Sequence, residues 1–91
     1  MSATEATVTI VNMRGLHARA AAKICETASS FSARITLSKG ATTVGARSLM
    51  ALLMLGAGKG SQVSISAEGE DAEAATEAVR SLIAAGFHED E

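Results

Sequence analysis

Tryptophan, tyrosine and proline are absent from this 91-residue chain, and only Phe31 and Phe87 are aromatic. Proteins that hold single-stranded nucleic acid stack its bases on aromatic side chains, so that platform is missing. Positive charge is also scarce: eight Lys and Arg stand against ten Asp and Glu, for a net charge of −2, and the cations are scattered. A phosphate backbone is recognised by a basic stripe. Nucleic acid is therefore not an expected partner. The single cysteine, Cys25, excludes an internal disulfide and a thiolate metal cluster, and its helical spacing marks it as a buried thiol. Nothing calls for a metal or a cofactor. The most apolar run, Ser48 to Gly56, is far shorter than the roughly 20 residues of a bilayer-crossing helix, and no secretory leader stands out. The expectation is a cytoplasmic protein with no membrane insertion.

What is present is an apolar fraction of 47%, drawn mostly from Ala, Val, Ile, Leu and Met. At this length it can build one core. No repeat or linker divides the chain, so residues 1–91 are expected to form one domain, with 1–4 and 88–91 as flexible ends. Glu5 to Val11 alternates, with Ala6, Val8 and Ile10 on one face, the period of a half-buried strand. Asn12 to Leu16 ends it. From Ala18 the period changes, because Ala21, Ile24, Cys25, Ala28 and Phe31 recur at helical spacing, and Leu16 can staple onto Ala21 across the helix start. Alternation returns over Ala33 to Ser38, Lys39-Gly40 supplies a turn, and Ala41 to Val44 completes a hairpin.

Ser48 to Leu55 reads as a short helix capped by Ser48 and stopped by Gly56. It is apolar all the way round. A wholly buried element would have the same pattern, but a domain this small is expected to leave part of it exposed as a patch that seeks a partner. Gln62 to Glu68 is a fourth strand, with Val63, Ile65 and Ala67 inward. Glu70 and Asp71 open a last helix that turns Ala75, Val79, Leu82 and Ile83 to the core and ends at Gly86. His88-Glu89-Asp90-Glu91 follows as a solvated polar tail. The order β-α-β-β-α-β-α predicts an α/β (α+β) fold, an open-faced β-sandwich with a four-stranded, mainly antiparallel sheet and three helices on one face.

The chemistry gathers at Asn12 to Ile24, where a strand turns through Gly15 into a helix with His17 at its mouth. The first amides of a helix have no partner within it and carry the positive end of its dipole, so they form an anion site. A phosphate on or near His17 would be held by the amides of Ala18 and Arg19 together with the Arg19 guanidinium. Alternatively, His17 is an ordinary N-cap with Arg19 solvated beside it, and taken alone the stretch favours that plainer reading. A second phosphate-like signal fails outright. In Gly56-Ala57-Gly58-Lys59-Gly60-Ser61, Leu53 stands where a nucleotide loop needs its first glycine, and Gly60 follows Lys59 where Ser or Thr is required. These glycines read as turn residues.

Gly15-Leu16-His17-Ala18-Arg19 and Ser48-Leu49-Met50, set on this order of elements, closely resemble the HPr family, the histidine phosphocarriers of the phosphoenolpyruvate-dependent phosphotransferase system. The resemblance covers nearly the whole chain, and Ile65 to Asp71 is similar to the family's last strand and turn. The Asn12-Met13-Arg14-Gly15 loop, the run Ala51 to Leu55 with Lys59-Gly60, and Gly86-Phe87 followed by acids look nearer to the nitrogen-related member than to the sugar-transport one. The resemblance implies that His17 accepts a phosphoryl group on Nδ1 from phosphorylated enzyme I and passes it to enzyme IIA-type proteins, with Arg19 steadying the phosphate. It further implies docking through Leu49, Met50 and Leu53, with Leu52 and Leu55 in the core, and a regulatory site at Ser48 for a serine kinase and phosphorylase. The expected state is a monomer, a carrier rather than a turnover enzyme. A regulatory protein that binds partners according to its phosphorylation, without passing phosphate on, would share every one of these features. One departure stands out: the residue after Arg19 is usually proline in that family and is Ala20 here, which removes a rigid element beside His17.

Overall fold

Alternating small apolar and hydroxylated residues build a sheet that can face water on one side. In the computed structural model, which describes residues 3–89, β1 (Thr4–Thr9), β2 (Arg34–Lys39), β3 (Thr42–Gly45) and β4 (Gln62–Glu68) form that sheet in the order β1-β4-β2-β3. Every pairing is antiparallel. β4 lies at the centre, and its Ile65 stands between Ala6 of β1 and Leu37 of β2 on the buried face. Glu5, Thr7, Thr9, Ser64 and Glu68 line the open face in water.

Three helices cover the other face: α1 (Ala18–Ser29), α2 (Leu49–Met54) and α3 (Ala72–Ala84). α3 packs across β1, β4 and β2, while α1 packs against both other helices. The expected stripe of α1 is buried at Ala21, Ile24 and Ala28, joined by Ala20, whereas Cys25 and Phe31 are only half-buried. Cys25 is thus at the margin of the core rather than inside it, and burial still pushes its thiol pKa up. In α3, Ala75, Val79 and Ile83 are buried and Leu82 is half-buried. The predicted Leu16–Ala21 staple has both members in the core.

Side chains from distant elements close the helix ends. Arg47 donates to the carbonyls of Ala28 (3.0 Å), Phe31 and Ala33 (3.3 Å), placing a cation at the C-terminal end of α1, where orphan carbonyls and the dipole favour one. Asp71 does not cap α3 with its side chain. Its carboxylate instead accepts from the amides of Ser32 and Ala33, each at 2.8 Å, and ties the start of β2 to the start of α3.

The ends differ from the expectation of flexible tails. Thr4 already pairs with Ala67 in the sheet, and after α3 a short turn, Gly86–His88, brings Phe87 fully into the core. All three residues of that turn have positive φ (65°, 58° and 59°), a conformation costly for Phe87 and His88 and sustained only where packing enforces it. The burial of Phe87 supplies that packing. The remainder of the tails expected to be flexible, 1–2 and 90–91, lies outside the described residues.

Candidate functional site

The loop between β1 and α1 is shaped by glycine and held from behind. Gly15 has φ +67° and donates to Asn12 O at 3.1 Å, and a Cβ there would meet Ala57 O and Gly58 Cα at 2.8 Å. No larger residue fits. Leu16 N donates to Ala57 O (2.9 Å), while Ile10 exchanges backbone hydrogen bonds with Gly60 and Ser61 at 2.8 Å each. The glycine-rich segment that fails as a nucleotide loop is therefore a buttress. It approaches the His17 loop so closely because Gly15 has no side chain.

His17 is the N-cap of α1, extended at φ −86° and ψ 179°, and its carbonyl accepts the first helical bond from Ala21 N at 2.8 Å. Its side chain caps nothing, and the first turn contains no acid. The contrast with α2 is direct, because there Ser48 Oγ accepts from Ala51 N at 3.3 Å. The positive end of the α1 dipole thus has neither a side-chain cap nor a carboxylate of its own. Arg19 is exposed in this first turn and forms no ion pair among the described residues. Ala18 is exposed beside it, and Ala20 is fully buried.

The histidine ring has a partner that the sequence did not indicate. Its Nε2 pairs with Glu89 Oε2, and the two side chains are only 15% and 13% exposed. Glu89 Oε1 accepts from Asn12 Nδ2 at 3.0 Å, and the same amide group donates to Gly15 O at 2.8 Å. These bonds hold the Glu89 carboxyl below the usual carboxylate range, the His17 contact contributing most, then Asn12, with Arg14 a weaker influence. Lys23 Nζ donates to Phe87 O at 2.5 Å and clasps the turn that carries Glu89. Glu89 is therefore half of the site rather than part of a solvated tail, although neighbouring His88 is exposed as expected. The one available signal was Phe87, because an aromatic residue so near the end of an aromatic-poor chain needs a place in the core.

The other predicted residues are close in kind to what was expected. Ser48 is exposed at the start of α2, Leu49 and Met50 are exposed, and Leu52 and Leu55 are buried. Leu53 departs from this: it is half-buried and packs against the core, so it offers only part of its surface. Met50 (69% exposed), Met54 (79%) and Met13 (70%) supply most of the exposed large apolar surface instead. Met54 and Met13 were not singled out from the sequence. No group of His, Cys, Asp and Glu among the described residues could hold a metal, and no helix among them is long and apolar enough to cross a membrane. A shallow cleft lined by Arg34, Thr36, Thr43 and Arg47 includes none of the site residues.

Comparison with known proteins agrees with this geometry. Residues 4–85 match the family described as "PTS HPr component phosphorylation site". The chain is 44% identical over 89 residues to the phosphocarrier protein NPr of Shewanella violacea, covering 98% of each chain. It is 42% identical over 83 residues to the phosphocarrier protein HPr of Cupriavidus necator, covering 91% of this chain and 93% of the other. The crystal structure of HPr-C-His from Thermoanaerobacter tengcongensis superposes with a TM-score of 0.92 at 43% identity, over 97% of this chain and 99% of that one. The similarity leans toward NPr. With an uncapped helix mouth, a histidine at its edge and the antiparallel open sandwich behind it, this chain belongs to the HPr family, the histidine phosphocarriers of the phosphotransferase system.

Proposed function

We propose that His17 carries the phosphoryl group, accepting it from phosphorylated enzyme I and giving it to enzyme IIA-type proteins, within the nitrogen-related branch of the system. The observation that carries this reading is the start of α1, where the N-cap side chain is a nucleophile and the leading amides of Ala18 and Arg19 have no acidic or capping side chain. Those amides and the Arg19 guanidinium receive the phosphate oxygens. The partners supply the metal and the rest of the transition-state stabilisation, so this chain needs only to hold and present the group. It acts as a monomer in the cytoplasm, docking through Leu49, Met50 and the exposed part of Leu53, with Met54 of the same helix adding exposed apolar surface. Ser48 is a second phosphorylation site at which the added charge opposes docking. A phosphate at a helix N-terminus is stabilised there, so the helix itself persists.

The test is incubation with phosphoenolpyruvate and enzyme I. Acid-labile phosphate should appear on the wild-type chain, be absent from His17→Ala, and move to an added IIA protein. Labelling without onward transfer favours a regulatory binding protein, and the absence of labelling with any enzyme I overturns the carrier reading.

A further inference from the structure

We infer that Glu89 is a positioning residue that fixes the His17 ring with its proton on Nε2 and its lone pair on Nδ1, setting which nitrogen takes the phosphoryl group. The inference deepens the proposed function and rests on it for the transfer step. The argument begins with Asn12, which is buried and makes two contacts through Nδ2, one to Gly15 O and one to Glu89 Oε1. Both partners only accept hydrogen bonds. Turning the Asn12 amide over would set its oxygen against two other oxygens, so its orientation is dictated by chemistry. Its own Oδ1 has no partner among the described residues. A buried acceptor left unsatisfied is a cost that native folds seldom carry without a functional reason. Here it accompanies an NH2 group aimed at the Glu89 carboxylate.

The carboxylate is thereby held in place, with Oε1 on Asn12 and Oε2 on His17. An ionised carboxylate cannot donate, so the bond to the ring requires a proton on Nε2. A neutral imidazole protonated at Nε2 has its acceptor lone pair at Nδ1. By covalent geometry Nδ1 is also the ring nitrogen nearer the backbone, and so nearer the amides of α1. In the transfer step the Nδ1 lone pair forms a bond to phosphorus, while the bond from phosphorus to the donor atom breaks and its electron pair returns to the donor. The ring gains positive charge, its proton stays on Nε2, and the Glu89 carboxylate sits against that charge. On delivery the N–P bond breaks, the pair returns to Nδ1, and the ring is left neutral in the same orientation.

Three features outside the ring indicate that this contact is built. Phe87 is fully buried, three successive residues hold positive φ so that the chain doubles back, and Lys23 clasps the Phe87 carbonyl. Together they aim Glu89 at a ring 72 positions away in sequence.

The experiment compares wild type, Glu89→Gln and Glu89→Ala. Glutamine keeps the size but replaces one of the two accepting oxygens with an NH2 donor, which would face either Asn12 Nδ2 or Nε2–H donor to donor. Nitrogen-15 chemical shifts of the His17 ring in the free protein report the tautomer. Wild type should be protonated at Nε2, and both variants should show a mixture. Uptake of phosphate from phosphorylated enzyme I, measured across donor concentration, should show a maximal rate lower by about 10- to 100-fold, the scale set by removing the hydrogen-bond partner of a metal-ligating histidine. The half-saturating concentration should stay within about twofold, and circular dichroism should match wild type. An unchanged tautomer in both variants overturns the inference, as does a loss confined to half-saturation, which would mark a docking role. If wild type itself takes up no phosphate, the carrier reading fails, and the tautomer comparison, which needs no partner, still decides whether Glu89 sets the ring.

Discussion

Gly15 allows the least substitution of any residue at the site. Its positive φ and the 2.8 Å approach of Ala57 O and Gly58 Cα leave no room for a side chain. Gly15→Ala should therefore cost about 1–3 kcal/mol from the backbone conformation, with a further contribution from the clash. A lower urea midpoint and slower phosphate uptake would be the measured outcomes. At Glu89 the expectation concerns pH. The folded carboxyl titrates below its ordinary value of 4.5, so its support for the terminal turn is complete above that ordinary value and fades as pH falls through the lower, folded one. The stability difference between wild type and Glu89→Ala, followed by urea unfolding, should shrink below pH of roughly 4. Gly15 and His17 were legible because the glycine turn, the cap and the helix start are neighbours in sequence. Asn12 read only as a loop residue and Glu89 as tail, because each acquires its role from a side chain at the other end of the chain.

At the scale of elements, each helix end is closed differently, and the differences can be measured. Ser48 caps α2 from a neighbouring position, so Ser48→Ala should lower stability by about 0.5–1 kcal/mol. Ser48→Asp should keep the far-ultraviolet dichroism and weaken enzyme I binding; a lost helix would contradict the proposed regulation. In α3 the buried Thr76 hydroxyl has no partner among the described residues, so Thr76→Val should be neutral or stabilising by up to about 1 kcal/mol in thermal melts. The elements themselves were legible from periodicity: β4 occupies Gln62–Glu68 as predicted, and α2 starts and stops at its caps. β1 is displaced toward the N-terminus and ends at Thr9, since beyond it Ile10 bonds to the glycine loop. The clamp of Arg47 on α1 was not legible, because no spacing rule links an arginine after a hairpin to the carbonyls of the helix before it.

Across the whole molecule, the order of elements was enough to indicate an open sandwich, since four short strands with these connections satisfy their edges best as one antiparallel sheet under helices. What order alone did not reveal is that the last described residues complete the site. Phe87→Ala should cost about 3–5 kcal/mol, because it empties a fully buried aromatic position, and it should also release Glu89 from the ring. Loss of the His17 tautomer preference in any such variant that remains folded would link the two effects.

The separation of His17 from Glu89 has a further consequence during synthesis. If Glu89 sets the His17 ring as proposed, a ribosome delivers the histidine long before its partner, and a chain ending at His88, which keeps Phe87 in the core, should accept phosphate as slowly as Glu89→Ala.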